Sequence, residues 1–264
     1  MNFSAFLGIA LVGAMVWFAA ATSGISPQAL LSIPGLIIIL GGTAAATLIS
    51  FNWSTIRRAW RATWIIFTRS GRQTNRDVAD LTALSRAWHR NSLAEMTQAI
   101  AATESPFLKM GAEMLTDSAL PRAAVHHALQ NHIERLRMRE RAEAQVFRAM
   151  AGYAPAFGVM GTVFGLAQMF ANVGSSNITA ISTGLGTALL TTIYGVVLAY
   201  GLFRPFAARL EQRSEQRVRR MHLLRDALDL MAEKKSPSLT QEFMRAAEAE
   251  LGDELGRTGP RRHA

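Results

Sequence analysis

Threonine and glycine recur at helical spacing in two stretches of this chain that carry no charge. In "APAFGVMGTVFGLAQMF" (154–170), Pro155, Gly158, Thr162, Gly165 and Met169 stand three or four residues apart and share one face of a helix, with Gly161 beside them. In residues 184–199, Gly184, Ala188, Thr191, Gly195 and Ala199 do the same, and Thr187 and Thr192 lie on or beside that face. A hydroxyl in an apolar helix can lend an oxygen ligand to a hard cation, or orient a water along a proton path. Small residues also let two helix backbones approach closely in lipid. The face therefore fits packing alone, or packing joined to ion handling.

The elements that carry these residues are set by charge. Residues 1–56 and 149–203 contain no Asp, Glu, Lys, Arg or His, although the 264-residue chain as a whole has 28 basic and 19 acidic side chains. Each block is long enough for two spans of about 20 residues. "TSGISPQ" (22–28) divides the first block into spans near Phe3–Ala21 and Ala29–Phe51. "NVGSSNIT" (172–179) divides the second into spans near Ala151–Ala171 and Ala180–Phe203. The reading is an all-α membrane protein: four transmembrane helices in two hairpins, a large helical cytoplasmic loop, and helical extensions of spans three and four. Its parts are a first hairpin (1–56), the cytoplasmic loop (57–148), a second hairpin (149–205), and a cytoplasmic helix with a basic tail (206–264). A cleaved signal peptide is the rival for the first span, but "MNFSAF" lacks the basic n-region of such a signal.

Arginines fix the expected orientation. Both hairpin turns are uncharged, whereas Arg57, Arg58, Arg61, Arg69, Arg72 and Arg76 follow the second span, and Arg148, Arg204 and Arg209 flank the other pair. Positive residues stay inside, so the loop and both termini face the cytoplasm. "STIRRAWRATWIIFTRSGRQTNR" (54–76) is expected to extend the second span and then lie along the interface, or to form an ordinary packed helix. Asp77–Thr103 has a helical pattern, Pro106 interrupts it, and a short helix follows around Phe107–Leu115. From Arg122 nothing breaks the helix until Pro155, and the fourth span continues through 204–235, so that two antiparallel helices form a cytoplasmic stalk.

Several chemistries are set aside. The net charge of +9 is explained by topology and anionic lipid head groups without nucleic acid. Absence of cysteine removes disulfides and thiol catalysis. An intramembrane enzyme would need a base, paired acids or a metal motif, and no span holds a His or carboxylate, so no enzyme is expected. His126, His127 and His132 lack companion metal ligands and read as packed or exposed histidines. Ion paths through membranes normally contain a titratable residue. If this chain handles ions, that residue belongs to another chain seated on the small face.

"APAFGVMGTVFGL" (154–166), "TALLTTIYGVVLAYGLFRPFAARL" (187–210) and "PGLIIILGGTAAATLISF" (34–51) resemble the flagellar stator family MotA/PomA, more distantly ExbB and TolQ. The resemblance implies a homo-oligomeric ring, a pentamer, in the bacterial inner membrane at the flagellar basal body. It implies a MotB/PomB-type partner whose single span carries the ion-binding aspartate, and a FliG-type rotor switch protein as the load. No cofactor is implied beyond the transported H+ or Na+. Pro155 and Pro205 match the family prolines linked to coupling, Thr192 matches a pathway threonine, and Thr162, with Thr191 nearby, completes the ion-pathway set. Threonine at 162 resembles sodium-driven relatives and leans the expectation toward Na+. Gly158, Gly161, Gly165, Gly184 and Gly195 form the helix-packing face.

The loop departs from the family pattern. In "PRAAVHHALQNHIERLRMRE", Asn131 and His132 precede Ile133, and the acid comes only at Glu134. Arg122 and Glu134 are the candidate rotor contacts, against a solvated helix face as the plainer reading. An ExbB/TolQ-like energiser of an envelope machine is the alternative function; such relatives usually have three spans and an outward amino terminus.

Overall fold

The computed structural model describes residues 3–22, 30–68, 74–117, 120–175, 177–233, 236, 238–239, 242–243 and 246; the first hairpin turn (23–28) and the basic tail lie outside them. Every long element among them is helical: α1 (Phe3–Thr22), α2 (Ile33–Ser50), α3 (Trp53–Thr68), α4 (Thr74–His89), α5 (Leu93–Ala102), α6 (Pro106–Thr116), α7 (Arg122–Asn172), α8 (Ile178–Val196) and α9 (Arg204–Ala232). α2, a stretch of α7, and a stretch of the continuous run from α8 into α9 are long and apolar enough to cross a membrane. The segment read as the first span forms α1, 20 residues without a charged side chain.

Local chemistry explains the boundaries. Ser32 starts α2 by accepting from the Gly35 amide at 3.3 Å, and Pro34 stands in the first turn, where its missing N–H costs nothing. The helix stops at Phe51, whose backbone is extended, and the Asn52 carbonyl then accepts from the Thr55 and Ile56 amides to begin α3. α3 is thus a separate helix after a two-residue break, so of the two readings of 54–76 the unbroken continuation of the second span is the one that fails.

A second break divides the expected helical run 77–103. Asn91 takes a positive φ of 51°, Ser92 caps α5 by accepting from the Glu95 amide at 3.3 Å, and Glu95 in turn receives Arg90 at 3.1 Å. Apolar periodicity continues across the break, because both helices bury into one core; the serine and the glutamate three residues on were the local signal.

The chain forms two compact units. Residues 1–70 and 139–213 make the first, and residues 71–138 and 214–264 the second. In the membrane unit, Phe147 is fully buried and receives Trp60 and Phe206 edge-on at 5.3 and 5.6 Å, among Ile39, Ile56, Met150, Phe203 and Leu210. In the second unit, Leu81, Leu84, Met96, Phe107 and Leu108 pack with Val125, Leu129 and Ile133 of α7 and Leu224, Leu228 and Met231 of α9. There α7 and α9 run antiparallel: His126 meets Asp229 at 2.8 Å, and Gln130 receives Arg225.

Both prolines sit inside long helical runs. Pro155 lies within α7. Pro205 follows a π-helical turn, Val197–Phe203, in which the Arg204 amide reaches back to the Ala199 carbonyl. A proline ring collides with the carbonyl four residues earlier in a regular helix, and the wider π turn relieves that collision.

Candidate functional site

The small face joins α7 to α8 in an antiparallel seam. A Cβ built on Gly165 would stand 2.6 Å from the Ala188 nitrogen and the Gly184 oxygen, and one on Gly184 would stand 2.8 Å from the Gly165 oxygen and the Met169 nitrogen. Toward the other end of the seam, a Cβ on Gly195 would meet the Ala154 oxygen at 2.8 Å, and one on Gly158 the Thr191 oxygen at 3.0 Å. These are backbone atoms, which cannot swing aside. Contacts between backbones replace the hydrophobic drive that lipid removes.

Thr191 belongs to this seam. It is fully buried, with its hydroxyl donating to the Ala188 carbonyl at 2.9 Å. Its methyl group lies against α2 at Gly35 and its side chain against α7 at Gly161, where an added Cβ would come within 2.8 and 2.6 Å. The face expected to receive another chain's helix is, in this part, occupied by the chain's own helices.

Thr162 and Thr192 are arranged differently. Thr192 is exposed, and Thr162 is partly exposed with its hydroxyl on the Val159 carbonyl at 2.6 Å. The backbone of Thr192 stands opposite Gly158, one turn of α7 before Thr162. The sequence-derived threonines therefore divide: Thr191 lies within the packing, while Thr162 and Thr192 flank it on accessible surface. Pro155 is half-buried, and Ala154 beside it is fully buried against the seam; Pro205 is exposed, with Arg204 held over the Tyr200 ring at 5.5 Å.

One polar group in the membrane unit was missed from the sequence. The Tyr194 hydroxyl donates to the Leu30 carbonyl and accepts from the Ser32 amide at 3.0 Å. The Ser32 hydroxyl lies 3.3 Å from that of Thr187. Together they tie the start of α2 to α8 and so seat Gly35 against Thr191. A phenol in an apolar helix must find a partner, which was the available signal.

Beyond the span, Glu143 is buried between Arg58 at 3.5 Å and Arg139 at 3.8 Å. Burial pushes its carboxyl above the usual glutamate range, and this desolvation outweighs the pull of the arginines. Arg148 pairs with Glu211 at 2.7 Å. In the second unit, Asp77 pairs with Arg220, and burial again raises the carboxyl against the pull of its partner. Arg122 is exposed at the first residue of α7, whereas Glu134 is half-buried and lies 3.6 Å from Arg137. His132 approaches the Phe107 ring, at 5.9 Å between centroids.

Comparison with known proteins agrees with this architecture. Residues 99–223 match the MotA/TolQ/ExbB proton channel family. The protein YtxD of Bacillus subtilis is 29% identical over 74% of this chain and 71% of its own length. Motility protein A of the same organism is 24% identical over 92% of this chain and 89% of its own. The MotAB structure of C. jejuni superposes with a TM-score of 0.83 at 23% identity, covering 100% of this chain and 99% of that one. With the proline-bearing helices and glycine seam in place, and with relatives matching over most of both lengths, the chain is similar to the MotA/TolQ/ExbB proton channel family and, within it, to the motility proteins.

Proposed function

We propose that this chain is the ring-forming subunit of an ion-driven flagellar stator in the bacterial inner membrane. With a MotB/PomB-type partner it couples H+ or Na+ flow to torque on a FliG-type rotor. The observation that carries this reading is a membrane hairpin with no Asp, Glu, Lys, Arg or His, built on a glycine seam with accessible hydroxyls at Thr162 and Thr192. Such a hairpin can guide an ion but has no carboxylate or imidazole to bind and release a proton near neutral pH, so that group comes from the partner span. The match to Motility protein A over nearly the whole of both chains supports the choice of a flagellar load.

The subunit forms a pentameric ring around two copies of the partner, with both termini in the cytoplasm. Thr162 and Thr192 line the ion path, Thr191 shapes the seam behind it, and Pro155 and Pro205 transmit ion passage to the cytoplasmic helices. Arg122 and Glu134 are the proposed rotor contacts. Sodium is the preferred ion, since an extra hydroxyl oxygen suits a hard cation.

The test is swimming in a deletion strain, scored together with electron microscopy for flagella. Flagellated, paralysed cells rescued by the gene and its partner are expected. Normal swimming would point to a redundant stator or to another envelope machine as the load. In the rescued strain, Thr162→Ala is expected to change the dependence of swimming speed on external sodium. A response identical to the parent's would remove sodium coordination from Thr162.

A further inference from the structure

We infer that the outward face of α3 is a binding surface for anionic phospholipid in the cytoplasmic leaflet. α3 begins at Trp53, three residues after α2 ends at Ser50, so its start is tethered within roughly 10 Å of a membrane span's end. Ile56, Ala59 and Thr63 turn inward and are buried. Trp53, Arg57, Arg61 and Trp64 turn outward, the two tryptophans being 65% and 74% exposed, and Trp60, whose ring also meets Phe147, borders this face at 47%.

Two features select the occupant. Indole rings favour head-group depth, where an apolar body and a polar N–H are both accommodated. Arg57 and Arg61 stand among these rings, no Asp or Glu occurs anywhere from residue 53 to 76, and among the described residues neither guanidinium pairs with a carboxylate. A helix with apolar and basic residues mixed on its outer side matches a layer of acyl chain and phosphate better than water. An acidic protein surface would pair with the arginines but leave the indoles without apolar cover.

The test uses the full chain purified with its partner and reconstituted into phosphatidylethanolamine vesicles with or without phosphatidylglycerol. Trp17→Phe and Trp88→Phe leave Trp53, Trp60 and Trp64 as this chain's emitters, since it has five tryptophans, and any tryptophan of the partner is replaced by Phe as well. Quenching by a head-group-level nitroxide lipid is expected, stronger when the labelled lipid is phosphatidylglycerol than when it is phosphatidylethanolamine. Arg57→Gln with Arg61→Gln should abolish that preference, lowering phosphatidylglycerol affinity about 30-fold. Both side chains are exposed, so the core is untouched. Equal quenching by the two lipids would overturn the inference, leaving only a helix at the interface. Tryptophans protected from both would overturn it too, and would assign the face to a neighbouring protein surface. The parent measurement decides between these outcomes even if the double variant fails to assemble.

Discussion

Gly184 has the Gly165 carbonyl and the Met169 amide where a side chain would be, so its smallness is a steric requirement of the seam. Gly186, two residues on, has open space there and serves as its control. Gly184→Val is expected to destabilise the detergent-solubilised assembly by about 1–3 kcal/mol or to abolish it, while Gly186→Val leaves the midpoint nearly unchanged. Thermal unfolding followed by size exclusion reads the difference, and equal effects at both positions would refute the seam. Glu143 offers a residue-scale test of electrostatics. Its folded carboxyl titrates above the ordinary glutamate value near 4.5. The stability it contributes is therefore fully present below that value and is lost as pH rises through the raised one. Glu143→Gln should then raise the thermal midpoint at neutral pH, and its advantage should shrink toward pH 4.5. A variant less stable than the parent at neutral pH would mean that the Arg58 and Arg139 pairs outweigh burial.

At the scale of elements, the reading from sequence was most secure where composition and membrane thickness act together. Two charge-free blocks of this length leave little choice but helices, and α2, α7 and α8 lie where the charge pattern put them. Breaks were harder to see. Asn52 and Ser92 interrupt helices through backbone and capping bonds that apolar periodicity does not register, and the π turn before Pro205 has no compositional mark. The site was partly legible. Small residues marked the seam, but periodicity placed Thr191 with Thr162 and Thr192 because it assigns a face without saying which helix already occupies it. Ser92→Ala tests the clearest of the missed caps. Loss of the Ser92 bond to the Glu95 amide is expected to cost about 1 kcal/mol in the second unit. Hydrogen exchange should show α5 amides opening sooner; unchanged protection would mean that the core alone holds the helix start.

For the whole molecule, the proposed torque requires that an event among the spans reach the helices beyond them, and α7 is one continuous helix from Arg122 to Asn172 with Pro155 inside it. Pro155→Leu restores the missing backbone donor and stiffens that helix. The expected result is an assembled, membrane-inserted ring that gives no rotation, read by tethered-cell assay alongside native gel analysis. Wild-type rotation by that variant would take Pro155 out of the coupling route.

The uncharged spans have a consequence for energetics. Moving an elementary charge through 100 mV involves about 2.3 kcal/mol, yet residues 1–56 and 149–203 offer the transmembrane field no side-chain charge to act upon. Voltage can therefore do work on the passing ion and on whatever acid receives it, but exerts almost no direct force on these helices. Such a hairpin behaves as an insulator with a shaped wall. Its motion should follow the occupancy of the ion site, and voltage should enter only through the rate at which ions arrive.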